Sequence, residues 1–229
     1  MKLYKMTLGQ RNLFLALLAS SLATLALFMI RVEAGGTWRY LFMAWNLFLA
    51  WLPLIFAWQL YRCLKRRSWF SWQAILLTFL WLGFLPNSFY ILSDFIHLSP
   101  TGEVGLLYDV VVLTAFAFNG LVLGFASLYF VHRELIRRMP RQYAHLVVAA
   151  ILLLCSFAIY LGRYLRWNTW DILVNPASIL FDVSDRVISP AAYPRTFSTT
   201  ASFFVLLSMM YVVGWYLTAS LQSDAPKKG

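Results

Sequence analysis

Acidic side chains are scarce in this chain: 229 residues carry nine Asp and Glu against 19 Lys and Arg. Only 12% of residues are charged, about half the share of an ordinary soluble domain. That shortage excludes a solvated disordered tail and a charge-laced coiled coil. Cysteine is nearly absent. Cys63 and Cys155 stand far apart, and neither has a His or a second Cys at ligand spacing, so a secreted disulfide framework is excluded. No Walker loop, dinucleotide fingerprint, G-x-S-x-G elbow or S-x-x-K run occurs. Nucleotide-driven work therefore has no residues to carry it, and Ser88, Ser93 and Ser99 are unsupported as nucleophiles.

Apolar residues are abundant. They make up 61% of the chain, and the mean hydropathy is +0.69. A chain of this length cannot bury so much apolar surface in one water-soluble core, so lipid must be part of its solvent. A spanning helix needs roughly 20 apolar residues. Six runs qualify: 12–30, 39–61, 72–93, 108–131, 144–164 and 198–221. Backbone groups in lipid must bond within their own segment, and no alternating ten-residue pattern suggests a barrel. The expected fold is all-α, a polytopic membrane bundle of six transmembrane helices forming one integral domain over 1–229. The first run also resembles a signal peptide, with Lys2, Lys5 and Arg11 ahead of it and Val32-Glu33-Ala34 after it. Its length of about 18 residues favours an anchor over a cleaved segment.

The net charge of +10 first suggests a nucleic acid partner, but the bases lie in short clusters between apolar runs. With the N-terminus inside, 13 Lys and Arg fall on the cytoplasmic side, mainly at Arg62–Arg67 and Arg133–Arg141, and 6 fall outside. This bias places both termini in the cytoplasm. Tryptophan and tyrosine collect near the span ends, as amphipathic rings do. The implied partners are membrane lipids, with no nucleic acid and no nucleotide; a second copy or another membrane protein stays open. Outside the spans, Asn175-Pro176 reads as a cap followed by a first-turn proline. It should open a short amphipathic helix over 176–189 on the outer interface, with Asp182, Asp185 and Arg186 on its polar face.

Polar groups inside apolar runs need a partner or a purpose. In the third run Asn87, Tyr90, Asp94 and His97 are spaced 3, 4 and 3. On a continuous α-helix they would form a polar ladder within an arc of about 80°. Pro86 at its inner end frees a carbonyl and favours a kink. The fourth run opens with Tyr108-Asp109 and carries Asn119 near its middle, followed by Gly120 and Gly124 at a spacing that lets helices approach closely. The fifth ends in Arg163, Arg166, Asn168 and Asp171, with Arg163, Arg166 and Trp170 sharing a face if the helix runs on. Asn46 lies in the outer third of the second run.

The string from Leu85 to Leu98, with Leu85-Pro86-Asn87, Tyr90, Asp94 and His97-Leu98, resembles the first signature of a bacterial family of small polytopic membrane proteins, domain of unknown function 1361. Tyr108-Asp109 and Gly162-Arg163 through Trp170-Asp171 resemble its second and third. The resemblance implies a bacterial cytoplasmic membrane and nothing about substrate.

Three chemistries follow from these residue types. Asp94, His97 and Asp109 could act as general acid and base, or ligate a divalent metal, although no cofactor is evident. The carboxylates could instead pair with Arg163 or Arg166 and tie helices together. Arg163 and Arg166, with Asn168, Asp171, Asn87, Tyr90, Tyr108 and Asn119 around them, suit an anionic headgroup or small anion. The expected function is an outward-facing polar site that binds or processes such a headgroup. A transporter or channel, and a scaffold meeting a partner through the 120–124 glycines or the amphipathic helix, are the alternatives.

Overall fold

The computed structural model describes residues 7–100 and 102–223. All regular structure among them is helical: α1 (Leu8–Gly35), α2 (Leu41–Leu64), α3 (Trp72–Tyr90) continuing as a 3₁₀ segment (Ile91–His97), α4 (Leu106–Ile136), α5 (Arg141–Tyr164), α6 (Asp171–Val174), α7 (Pro176–Ile188), a 3₁₀ turn (Pro190–Ala192) and α8 (Pro194–Ser223). Six of these, counting α3 with its extension, are long and apolar enough to cross a membrane. They coincide with the six runs read from the sequence, and each observed end lies within a few residues of its expected place. The protein is an all-α, multi-pass membrane protein. The chain divides into two compact units, one ending at Glu134 and the other starting at Leu135.

In the first unit, α1 starts with a capping box. The Gln10 N–H donates to Thr7 Oγ1, and the Thr7 N–H donates to Gln10 Oε1. It ends at Gly36, whose φ of 64° suits glycine and whose N–H returns to the Val32 carbonyl. The core gathers Phe28, Tyr40, Met43, Leu47, Ala50, Leu54, Val112, Leu113 and Phe116, all essentially inaccessible to solvent. Gly120 and Gly124 let α4 lie directly on α3. A Cβ on Gly120 would stand 2.5 Å from the Ser88 carbonyl oxygen, and one on Gly124 would stand 2.6 Å from the Phe89 ring. At these two glycines the face is filled by α3 of the same chain, which leaves the amphipathic helix as the other surface the scaffold alternative named. Ser88 also donates to the Ala50 carbonyl, in the stretch of α2 where Pro53 removes a backbone donor.

In the second unit α8 packs along α5. The outer side of α8 is a row of exposed Val205, Met209, Val212 and Val213, which only a lipid solvent makes inexpensive. The short helix expected over 176–189 is α7, with Pro176 in its first turn. Two details differ from expectation. Asn175 stands at the N-cap of α7 as expected, but its side-chain oxygen accepts from the Ser178 hydroxyl and not from a backbone N–H. Arg186 is not on a wet polar face but is 7% exposed, turned inward under α7.

Candidate functional site

The polar residues of the first unit meet at two levels. Near the middle of the bundle the Asn119 amide donates to Thr24 Oγ1 (2.8 Å) and to the Ala115 carbonyl, while its oxygen accepts from Ser21. Ser21 in turn accepts from the Trp51 indole. Asn119, an expected lining residue, is thereby saturated by α1 and its own helix. At the end where α1 stops and α4 starts, Arg31 is fully buried. Its Nε donates to Asp109 Oδ1 at 3.0 Å, its Nη2 to Glu103 at 2.6 Å and its Nη1 to Thr37 Oγ1 at 2.6 Å. Tyr40 closes the group: its ring lies 5.0 Å from the guanidinium carbon, and its hydroxyl donates to Asp109 Oδ2. Tyr108 donates to the Leu27 carbonyl.

Within the first unit, Asp109 therefore takes its counter-charge from Arg31. Arg31 is one of the six Lys and Arg that the charge count puts on the outer side. An arginine near the end of a long apolar helix, with an acidic residue opening another, was the signal that could have found it. Glu103 and Thr37 had no such signal, because loop residues carry no periodicity.

Asp94 is 1% exposed and accepts from the Asn46 amide at 3.0 Å. The expected ladder does not run as one α-helical stripe. The chain tightens to 3₁₀ after Tyr90, where three residues make a turn, so Ile91, Asp94 and His97 align instead. Asp94 points inward and His97 lies at the exposed rim, edge-on to Phe42 with ring centres 5.2 Å apart. Asn87 donates to the Phe84 carbonyl, and Tyr90 accepts Ser93 on its own carbonyl. Among the described residues, no three His, Cys, Asp or Glu side chains gather closely enough to hold a metal ion. The set Asp94, His97 and Asp109 is not assembled as a ligand sphere.

In the second unit the end of α5 carries the remaining candidates. Here α5 stops at Tyr164, so Arg163, Arg166 and Trp170 do not share a helical face. The chain turns sharply: Arg166 has φ 60°, and the Leu165 and Trp167 N–H groups both return to the Leu161 carbonyl. Arg163 is half-buried in the last turn, while Arg166 and Asn168 are exposed. Asp171 accepts from the Asn168 backbone N–H at 2.6 Å, which fixes the turn into α6.

Beside this turn stands an unexpected cluster around Arg186. Its Nη1 donates to the Asp182 carbonyl (2.6 Å) and carboxylate (3.3 Å), and its Nε to Tyr160. The Tyr193 ring lies 4.8 Å from its guanidinium carbon. Asp182 also accepts from the Trp167 indole, and Asp185 accepts from the Tyr193 hydroxyl. Burial opposes the charge on Arg186, but Tyr160 and Asp182 outweigh it and raise its pKa. The Tyr193 phenol is raised as well, first by the bond to Asp185 and then by that carboxylate's charge. The i,i+4 spacing of Asp182 and Arg186 was visible in the sequence, but not that the pair turns inward.

Over residues 45–213 the chain matches the family described as protein of unknown function, DUF1361. It belongs to that family. No match was found among curated proteins or among solved structures.

Proposed function

We propose that the protein sits in a bacterial inner membrane with both termini in the cytoplasm, and that the α5 end of the second unit binds the anionic headgroup of a lipid or a similar small anion. The observation that carries this reading is the backbone of Arg166. Among the described residues it is the one non-glycine position with a positive φ. A left-handed residue closing a helix is glycine by default, and a side chain there costs about 1–2 kcal/mol. An arginine kept exposed at that position is there for its guanidinium, by the usual inference from a strained position to function.

The surroundings fit an anion. Arg163 lies one turn earlier, and Arg195 stacks over Tyr164 with its guanidinium carbon 5.6 Å from the ring centre. The nearby acids have work of their own: Asp171 on the turn, Asp182 on Arg186 and Trp167, and Asp185 on Tyr193. Arginine suits a phosphate because its planar fork donates two bonds at once. Trp170 and Tyr164, both exposed, are residues of the kind found at headgroup level.

The test is an anisotropy titration of fluorescent phosphatidic acid with the purified full chain in neutral detergent. Arg166→Gly relieves the backbone yet removes the guanidinium, so it should leave thermal stability equal or higher and weaken binding about tenfold. Arg166→Lys should recover only part, because an ammonium lacks the fork. Binding by Arg166→Gly equal to that of the parent protein would overturn the reading.

A further inference from the structure

The charged side of α7 faces the protein and its apolar side faces out, the reverse of a helix on a water-soluble surface. Asp182 accepts from the Trp167 indole, Arg186 donates to Tyr160, and Asp185 accepts from Tyr193. Leu180, Phe181, Val187 and Ile188, in contrast, are 66–78% exposed. At about 100° per residue these four fall within an arc of about 120°, with the smaller exposed Ala177 and Ser184 inside it. An apolar stripe of this kind left open to water would be a liability, so something covers it.

Two observations assign that cover to lipid. Six residues after Ile188 the chain enters α8 at Pro194, and α8 carries the exposed row Val205, Met209, Val212 and Val213, whose solvent is the membrane. The apolar side of α7 thus adjoins a lipid-facing span. The second observation is the level at which α7 is tied. Arg186 reaches Tyr160 in the last turns of α5, and Trp167, just beyond that helix, reaches Asp182 at 2.7 Å. A helix held where a span ends, with charges turned to the protein and apolar residues turned away, is built to lie in the interface among acyl chains.

The same contact sets α7 beside the α5-end site. Trp167 follows Arg166 directly, and its indole bonds Asp182, the neighbour of Phe181. An anion on the exposed Arg166 and an apolar chain on Phe181 therefore meet at one corner of the second unit.

We propose, resting on the anion reading of that end, that the ligand is a long-chain phospholipid and not a free anion. Arg166 takes the headgroup phosphate, while an acyl chain lies along Leu180, Phe181, Val187 and Ile188 of α7, which is sunk in the leaflet at that end of α5.

The test uses the full chain and has two arms. In phosphatidylcholine nanodiscs, bimane on Phe181→Cys, in a Cys63→Ser, Cys155→Ala background, should be quenched by lipid brominated in mid-chain several-fold more than bimane on Asn168→Cys. In neutral detergent, Leu180→Ser with Phe181→Ser should weaken binding of fluorescent phosphatidic acid about tenfold. Thermal stability should be unchanged, because both side chains are mostly exposed. Val187→Ser with Ile188→Ser repeats the test one turn further along α7. Glycerol phosphate at millimolar concentration should not displace the lipid from the parent protein. Equal quenching at the two labelled positions, lipid binding untouched by both serine pairs, or displacement by glycerol phosphate would overturn the proposal. Unquenched bimane, with chains cross-linking in pairs through Phe181→Cys, would also overturn it and give the face to a second copy. None of these outcomes touches the anion reading, which stands as long as Arg166→Gly weakens binding. Arg166→Gly binding like the parent protein, with the serine pairs weakened, would instead overturn the phosphate contact and support the acyl one.

Discussion

Arg31 and Asp109 meet 3.0 Å apart, both withdrawn from solvent, although 78 residues separate them in the chain. The pair fastens the C-terminal part of α1, a turn before its end, to the first turn of α4, and Glu103 and Thr37 complete the arginine's bonds. An isolated charge here would be uncompensated in a medium with little water, so the two side chains depend on each other.

Removing one partner should therefore be far worse than removing both. Asp109→Ala is expected to destabilise the first unit by about 3–5 kcal/mol, because it leaves a buried guanidinium short of its counter-charge. Arg31→Met combined with Asp109→Leu should recover most of that loss. Thermal unfolding in detergent, run as a double-mutant cycle, measures the coupling. Equal losses from the single and double variants would show that the pair is not coupled.

The close approach of α3 and α4 gives a steric prediction. Gly120→Ala puts a methyl 2.5 Å from the Ser88 carbonyl oxygen, a backbone atom that cannot swing aside. The helices must separate, at a cost of at least about 1–3 kcal/mol. Gly214→Ala meets nothing within 4 Å and serves as the control. A Gly120→Ala protein as heat-stable as Gly214→Ala would contradict the packing described.

These two sites show what was legible in advance and why. The spans were, because burying apolar length in lipid dictates where helices lie. The glycine spacing at Gly120 and Gly124 was also legible as close packing. The partner of Asp109 was not, since pairing depends on which helix ends meet and the chain order of charges does not encode that. The ladder through Asp94 failed for a local reason: a change from 3.6 to 3.0 residues per turn after Tyr90 rotates every later side chain, and nothing in the residue spacing announces it. At the α5 end Arg163, Arg166, Asn168 and Asp171 could be singled out, but the left-handed turn at Arg166 could not, since that conformation normally calls for glycine.

Glu103 links the loop before α4 to the end of α1 and should give the fold an acid limit. The Thr37 hydroxyl, then the Arg31 guanidinium, hold its carboxyl below the usual carboxylate range. A depressed folded-state pKa contributes stability above the unfolded value, and that contribution is lost as pH falls through the folded one. Unfolding temperatures should decline as pH drops below the ordinary glutamate range, and Glu103→Gln should flatten that decline. A variant with the parent protein's pH profile would place the acid sensitivity elsewhere.

Arg186 offers the corresponding test in the second unit, where polarity and packing can be separated. Its guanidinium ties α7 to α5 through Tyr160 and to its own helix through Asp182, and Tyr193 covers it. Arg186→Gln keeps a donor but removes the charge, leaving Asp182 to the Trp167 indole alone. Tyr193→Phe keeps the ring over the guanidinium and removes only the hydroxyl that reaches Asp185. If charge holds α7 down, Arg186→Gln should speed proteolytic cutting within 176–188 several-fold, whereas Tyr193→Phe should change it little. If the bond from the Tyr193 hydroxyl to Asp185 is what matters, the order reverses. Limited proteolysis with mapped fragments reads the difference directly, because α7 is exposed along most of its length while Arg186 beneath it is not.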